Sequence, residues 1–134
     1  MRVKSVALAS LLLAAMATSA PAQLKDPTIG SRVLTDADMT KYVAIVGEVA
    51  TALRGIKEPS SPAGLQQIRA ATLTACEKQG WGSLDYGVVD ARVKTALQHI
   101  KMEATIPVPS GKAADVALVR KWKARIDQAK VSPP

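Results

Sequence analysis

The chain of 134 residues has no phenylalanine, one cysteine and one histidine; its only aromatics are two tryptophans and two tyrosines. Each scarcity excludes something. Cys76 alone cannot form an internal disulfide or build a cysteine-ligated metal cluster. It is expected to serve as a small buried core residue, since free cysteine is among the most buried types, with an exposed thiol or a disulfide-linked dimer as the alternatives. With His99 as the single histidine, the usual stock of general bases and metal ligands is nearly empty. A core without phenylalanine, rich in alanine and valine, buries little area per residue, so ordinary or marginal stability is expected. The sequence also lacks a Gly-x-Ser-x-Gly elbow, a phosphate-binding glycine loop, a dinucleotide fingerprint and a Cys-x-x-Cys-His haem site. These gaps point away from an enzyme, and neither a cofactor nor a metal is expected. No convincing internal repeat and no alternating strand pattern is present.

What the chain does have begins with an address label. Arg2 and Lys4 precede an apolar, uncharged run from Val6 to Ala17, and Ala20-Pro21-Ala22 gives the small-x-small pattern read by signal peptidase. Residues 1–22 therefore read as a signal peptide cleaved after Ala22, and the mature protein as secreted, with the periplasm as the expected compartment. A membrane-spanning helix needs about 20 apolar residues. The run is shorter than that, so an integral membrane protein is not expected. No cysteine follows the run, which argues against a lipid anchor. Without these residues the chain keeps 112 residues, 16 basic and 11 acidic side chains, and a net charge of +5. That excess favours anionic partners only weakly.

The stretch from Gly80 to Ala104 organises the rest. Gly80-Trp81-Gly82 ends one helix and Ser83 opens the next, which carries Tyr86, Val89, Val93, Ala96, Leu97, Ile100 and Ala104 on one side. Trp81 reads first as a loop tryptophan folded over the core. Its other reading is a stacking platform for a ligand, with Tyr86 as neighbour. Upstream, residues 23–34 contain Pro27 and Gly30 without helical spacing and read as an extended lead-in. Thr35 and Asp38 resemble a capping box opening a helix whose apolar arc is Met39, Tyr42, Val43, Val46, Val49, Ala50 and Leu53. Ser61-Pro62 caps a second helix reaching about Gln79, with a weak stripe through Leu65, Ile68, Thr72, Ala75 and Cys76. Pro107 and Pro109 stiffen the connector to a last helix, from Ser110 or Gly111 to about Ala129, with Leu118, Val119, Trp122, Ile126 and Ala129 facing inward. Residues 131–134 read as a frayed tail. The expected fold is all-α: a small antiparallel bundle of about four helices in one domain spanning 35–130.

Three features bear on function. His99 lies roughly 120° from the centre of its helix's apolar stripe. Arg92 and Glu103 share its side, which predicts a polar column: a surface pair, or half of a metal site, or the working group of a small enzyme. The last helix holds Lys112, Arg120, Lys121, Lys123, Arg125 and Lys130 against Asp115 and Asp127. It reads as a solvated face or as a surface that adheres to phospholipid, lipopolysaccharide or an acidic protein. No specific nucleic-acid binding is expected. Finally, Leu34-Thr35-Asp36-Ala37-Asp38 resembles the Leu-Thr-x-x-Gln signature of helical periplasmic envelope-stress chaperones, and Leu73-Thr74-Ala75-Cys76-Glu77 is a second approximate copy. Both lack the glutamine, the likeness covers ten residues, and it does not assign the chain to that family. The expected function is that of a secreted helical binding or structural protein with a basic C-terminal helix. A client-binding chaperone and a small enzyme using His99 are the alternatives.

Overall fold

Helix α1, Asp36–Arg54, starts where the sequence places it, because Thr35 and Asp38 satisfy each other's backbone. The Asp38 N–H donates to Thr35 Oγ1 at 3.3 Å, and the Thr35 N–H donates to the Asp38 carboxylate at 2.8 Å. An aspartate thus performs the glutamate's part in a capping box. The buried face is Met39, Tyr42, Ile45 and Val46. Ile45 joins the expected arc because α1 has neighbours on two sides, while Leu53, expected inside, is 42% exposed.

Helix α2, Pro62–Lys78, is capped by Ser61, whose Oγ accepts the Gly64 N–H at 3.0 Å. Gly64 is packed so closely on the preceding loop that a Cβ there would collide with the Glu58 carbonyl. Only Ala75 and Cys76 of the expected stripe are fully buried; Leu65 and Leu73 stay exposed. Gly80, at φ 74°, ends the run in the left-handed region that favours glycine. The Trp81 N–H then donates back to the Cys76 carbonyl at 2.9 Å, which turns the indole onto the core.

Helix α3, Ser83–Met102, takes Gly82 as its cap residue rather than Ser83. The Gly82 N–H is satisfied by the Asp85 carboxylate at 2.8 Å. Val89, Val93 and Ala96 are buried, Tyr86, Leu97 and Ile100 pack at the margin, and Ala104 lies beyond the helix and is exposed. After the proline connector, a single 3-10 turn at Ser110–Lys112 leads into α4, Ala113–Val131, which buries Val116, Val119, Trp122, Ile126 and Ala129.

These side chains come from a computed structural model that describes residues 24–131. Among them the secondary structure is all-helical, and the four helices pack together as expected. Helix α1 packs against both α2 and α4, and α3 packs against α4. Helix α2 returns along α1, so that Lys78 reaches Glu48 and the Lys41 ammonium lies 5.8 Å from the Trp81 ring centre. Helix α4 contacts both ends of α1. Asp36 accepts from Trp122 Nε1 at 2.7 Å and from Lys121, and at the far end Arg54 donates to the Val131 carbonyl. No helix among the described residues is long and apolar enough to cross a membrane. The signal peptide read at residues 1–22 lies outside the described residues, as do residues 132–134 of the expected tail. Val131 belongs to α4 rather than to that tail.

The lead-in needs correction. Residues 24–34 are folded onto the bundle. Ile29 is 0% exposed and Leu34 is 4% exposed, so both are part of the core. Asp26 accepts from the Thr28 N–H and hydroxyl, and the Ile29, Ser31 and Arg32 N–H groups close short turns onto Asp26 and Thr28 carbonyls. The turn is local, but what fixes it to the bundle comes from α3.

Candidate functional site

Two α3 side chains hold the lead-in. Asp85, fully buried, accepts N–H bonds from Lys25 at 2.9 Å and Asp26 at 3.0 Å, besides its bond from Gly82. Two turns later, Arg92 donates Nη1 to the Ile29 carbonyl at 2.8 Å and the Arg32 carbonyl at 2.9 Å. Its Nε and Nη2 grip Asp115 of α4 at 2.9 and 2.7 Å. Arg32 then bridges Asp26 and Asp38. Among the described residues no buried side-chain nitrogen or oxygen lacks a hydrogen-bond partner. These buried charges are structural: their donors and acceptors are already occupied.

This network has a pH signature. Donation from Arg32 holds the Asp38 carboxyl at about 2, below its ordinary 3.8, against the opposing effect of burial. Bonds from Thr28 and Arg32 lower Asp26, and bonds from Lys121 and Trp122 lower Asp36. A carboxylate depressed in the folded state contributes stability above its unfolded value and loses it as pH falls. The unfolded chain takes up the proton near 3.8, and native Asp38 only near 2. Stability should therefore decline from roughly pH 4 to pH 2. Urea unfolding across that range should show a shallower decline in Asp38→Asn.

The residues picked out from sequence fare differently. Trp81 is 4% exposed, so it is core and offers no open stacking face. Tyr86 stacks on Tyr42, with ring centres 5.8 Å apart and planes 25° apart, rather than serving as a partner for Trp81 in a platform. The Tyr42 hydroxyl donates to Asp90 at 2.8 Å, and burial raises both phenols above their ordinary value. Cys76 is buried, and that burial raises its thiol. Neither a reactive thiolate nor an accessible disulfide partner fits that setting.

The basic face of α4 is largely neutralised from within. Arg120 makes a bidentate pair with Glu103, Lys121 pairs with Asp36, and Lys123 pairs with Asp127 one turn on. The Arg125 guanidinium lies over the Trp122 ring at 4.7 Å. The expected column of Arg92, His99 and Glu103 does not form, because Arg92 and Glu103 are held by Asp115 and Arg120 of α4. In the first approximate chaperone motif, Leu34 packs in the core and Thr35 and Asp38 form the α1 cap. The second copy lies in the closing turns of α2, so the two do not repeat a structure.

His99 is the exception to this internal pairing. It is half-buried and makes no side-chain hydrogen bond among the described residues. Because no unpartnered nitrogen is sealed off, its ring reaches solvent. It lines a cleft of about 220 Å³ with Thr95, Lys112, Arg92 and Asp115. It and Thr95 also line an adjoining groove of about 390 Å³, together with Lys94, Gln98, Met102 and Ile106. Small-molecule sites begin at roughly 300 Å³; the groove lies in that range and the cleft below it. Arg92 and Asp115 occupy each other, which leaves Thr95, His99 and Lys112 as the groups free to meet a ligand. Sequence reasoning found His99 but missed Lys112 as its neighbour, because the connector's return along α3 brings them together. Among the described residues no group of three or more His, Cys, Asp or Glu side chains could hold a metal ion.

No protein-family model matches the chain, and no curated protein and no solved structure matches it either.

Proposed function

We propose that the protein is an exported, periplasmic helical binding protein that meets its ligand on the α3 face around His99. Residues 1–22 support export by their charged start, apolar run and cleavage pattern. The observation that carries the binding surface is the open imidazole of His99, at the junction of two hollows, in a chain whose other charged groups are mostly occupied. Metal and nucleophile chemistry have no support in this cleft. Thr95, the imidazole and an ammonium are suited to orienting a bound group; His99 shares the cleft with Thr95, but among the described residues no hydrogen bond joins its ring to the threonine hydroxyl to activate it.

The test has two arms. A C-terminally tagged full chain, expressed in a Gram-negative host, should appear in the periplasmic fraction beginning at Gln23; a cytoplasmic product beginning at Met1 contradicts export. His99 is the single histidine, so its ring protons identify themselves in an NMR spectrum. Adding concentrated periplasmic extract to the mature protein should move those signals and leave the Trp81 indole unchanged. Unmoved His99 signals, or shifts confined to the α4 surface, contradict the site.

A further inference from the structure

Resting on that reading, we infer that the α3 face binds a small amphipathic carboxylate, with its head in the His99 cleft and its apolar tail along the adjoining groove. The head is assigned by charge. Arg92 neutralises Asp115 through two bonds at 2.9 and 2.7 Å, so among the described residues the cleft retains Lys112 as an uncompensated cation. Its other available groups, the Thr95 hydroxyl and the His99 ring, can donate to an oxygen anion. A cationic head would face Lys112 and find no uncompensated anion among the lining residues, since Asp115 is paired with Arg92.

The tail is assigned by continuity. Thr95 and His99 line both hollows, so a ligand leaving the cleft passes directly into the groove. There Met102 and Ile106, 37% and 49% exposed, offer apolar surface that no other part of the described chain covers. Lys94, which also lines the groove, is paired with Asp90, so it does not compete with Lys112 for the carboxylate. Acidic proteins and lipid bilayers fit less well, because the donors lie within a cleft of about 220 Å³ rather than on a protruding face.

The probe is sodium decanoate, below its micelle concentration, titrated into the mature protein while the His99 ring protons are followed by NMR. Saturable shifts are expected, with affinity at least tenfold weaker for decanol, which lacks the charge, and for acetate, which lacks the tail. Lys112→Glu and Ile106→Asp, both at exposed positions, should each weaken decanoate at least tenfold while the circular dichroism spectrum stays unchanged. Decanol binding as tightly as decanoate, or decanoate binding equally to Lys112→Glu, overturns the assignment of the head. An unaffected Ile106→Asp overturns that of the tail. If decanoate leaves His99 unmoved while periplasmic extract moves it, the ligand class is wrong and the site stands; if neither moves it, both fail.

Discussion

Asp85→Ala is expected to lower stability by about 3–5 kcal/mol and to release residues 24–34 from the bundle. The carboxylate is fully buried and satisfies three backbone N–H groups, of Lys25, Asp26 and Gly82. Alanine leaves all three without that acceptor. An orphaned buried donor costs about 1–3 kcal/mol, and bonds to a charged acceptor are the stronger kind. Lys25 is exposed, so water can recover part of its bond, which keeps the total below the sum of three full penalties. Released residues would also uncover Ile29, now 0% exposed. Against a total stability of roughly 5–15 kcal/mol for a small domain, the loss is large. Urea unfolding should show a markedly lower midpoint for Asp85→Ala. Asp85→Asn keeps one acceptor oxygen in the same place and should fall between. An alanine variant as stable as the parent contradicts the role given to this side chain.

The second large effect is at Trp81. Trp81→Ala should cost about 3–5 kcal/mol, the range for deleting a buried aromatic where the neighbours cannot collapse into the space. Collapse is restricted here because both ends of the loop are fixed. Gly80 sits at φ 74°, and Gly82 is tied to Asp85. The Lys41 ammonium over the ring adds at most about 1 kcal/mol at such a partly exposed contact, so packing decides the outcome. Trp81→Phe should retain most of the stability. Thermal unfolding measures both. An alanine variant with unchanged unfolding and altered ligand binding would restore the stacking-platform reading that burial now displaces.

The features legible in the sequence are those whose physical cause is local. Thr35 with Asp38, Ser61 with Pro62, and Gly80 before Trp81 each act within four residues, and each marks a helix end where the structure has one. The lead-in was not legible because what orders it is far away. Lys25 and Asp26 find Asp85 about 60 positions later, and Ile29 and Arg32 find Arg92 at similar range. A weak local sign existed in Asp26-Pro27-Thr28, where the aspartate accepts from the Thr28 backbone, a common turn device. The same limit explains the charges. Spacing placed Glu103 within reach of His99 on one helix, but Arg120 of α4 makes two parallel bonds to it, and that bidentate geometry prevails. Counting cations on α4 alone gave a basic face; Asp36 and Glu103, distant in sequence, remove much of it. His99 is left open for the complementary reason: among the described residues no partner from another helix bonds to it.

Residues 24–34 are an integral part of the bundle: they bond to α3 on one side, and α3 presents His99 on another. Hydrogen exchange at the Lys25 and Asp26 amides tests this most directly, since both donate to buried Asp85. Protection close to that of the α3 core amides around Val89 and Val93 is expected, with Asp85→Ala abolishing it. Exchange of the two amides at the rate of an unstructured peptide in the parent protein would contradict the attachment of residues 24–34 to α3.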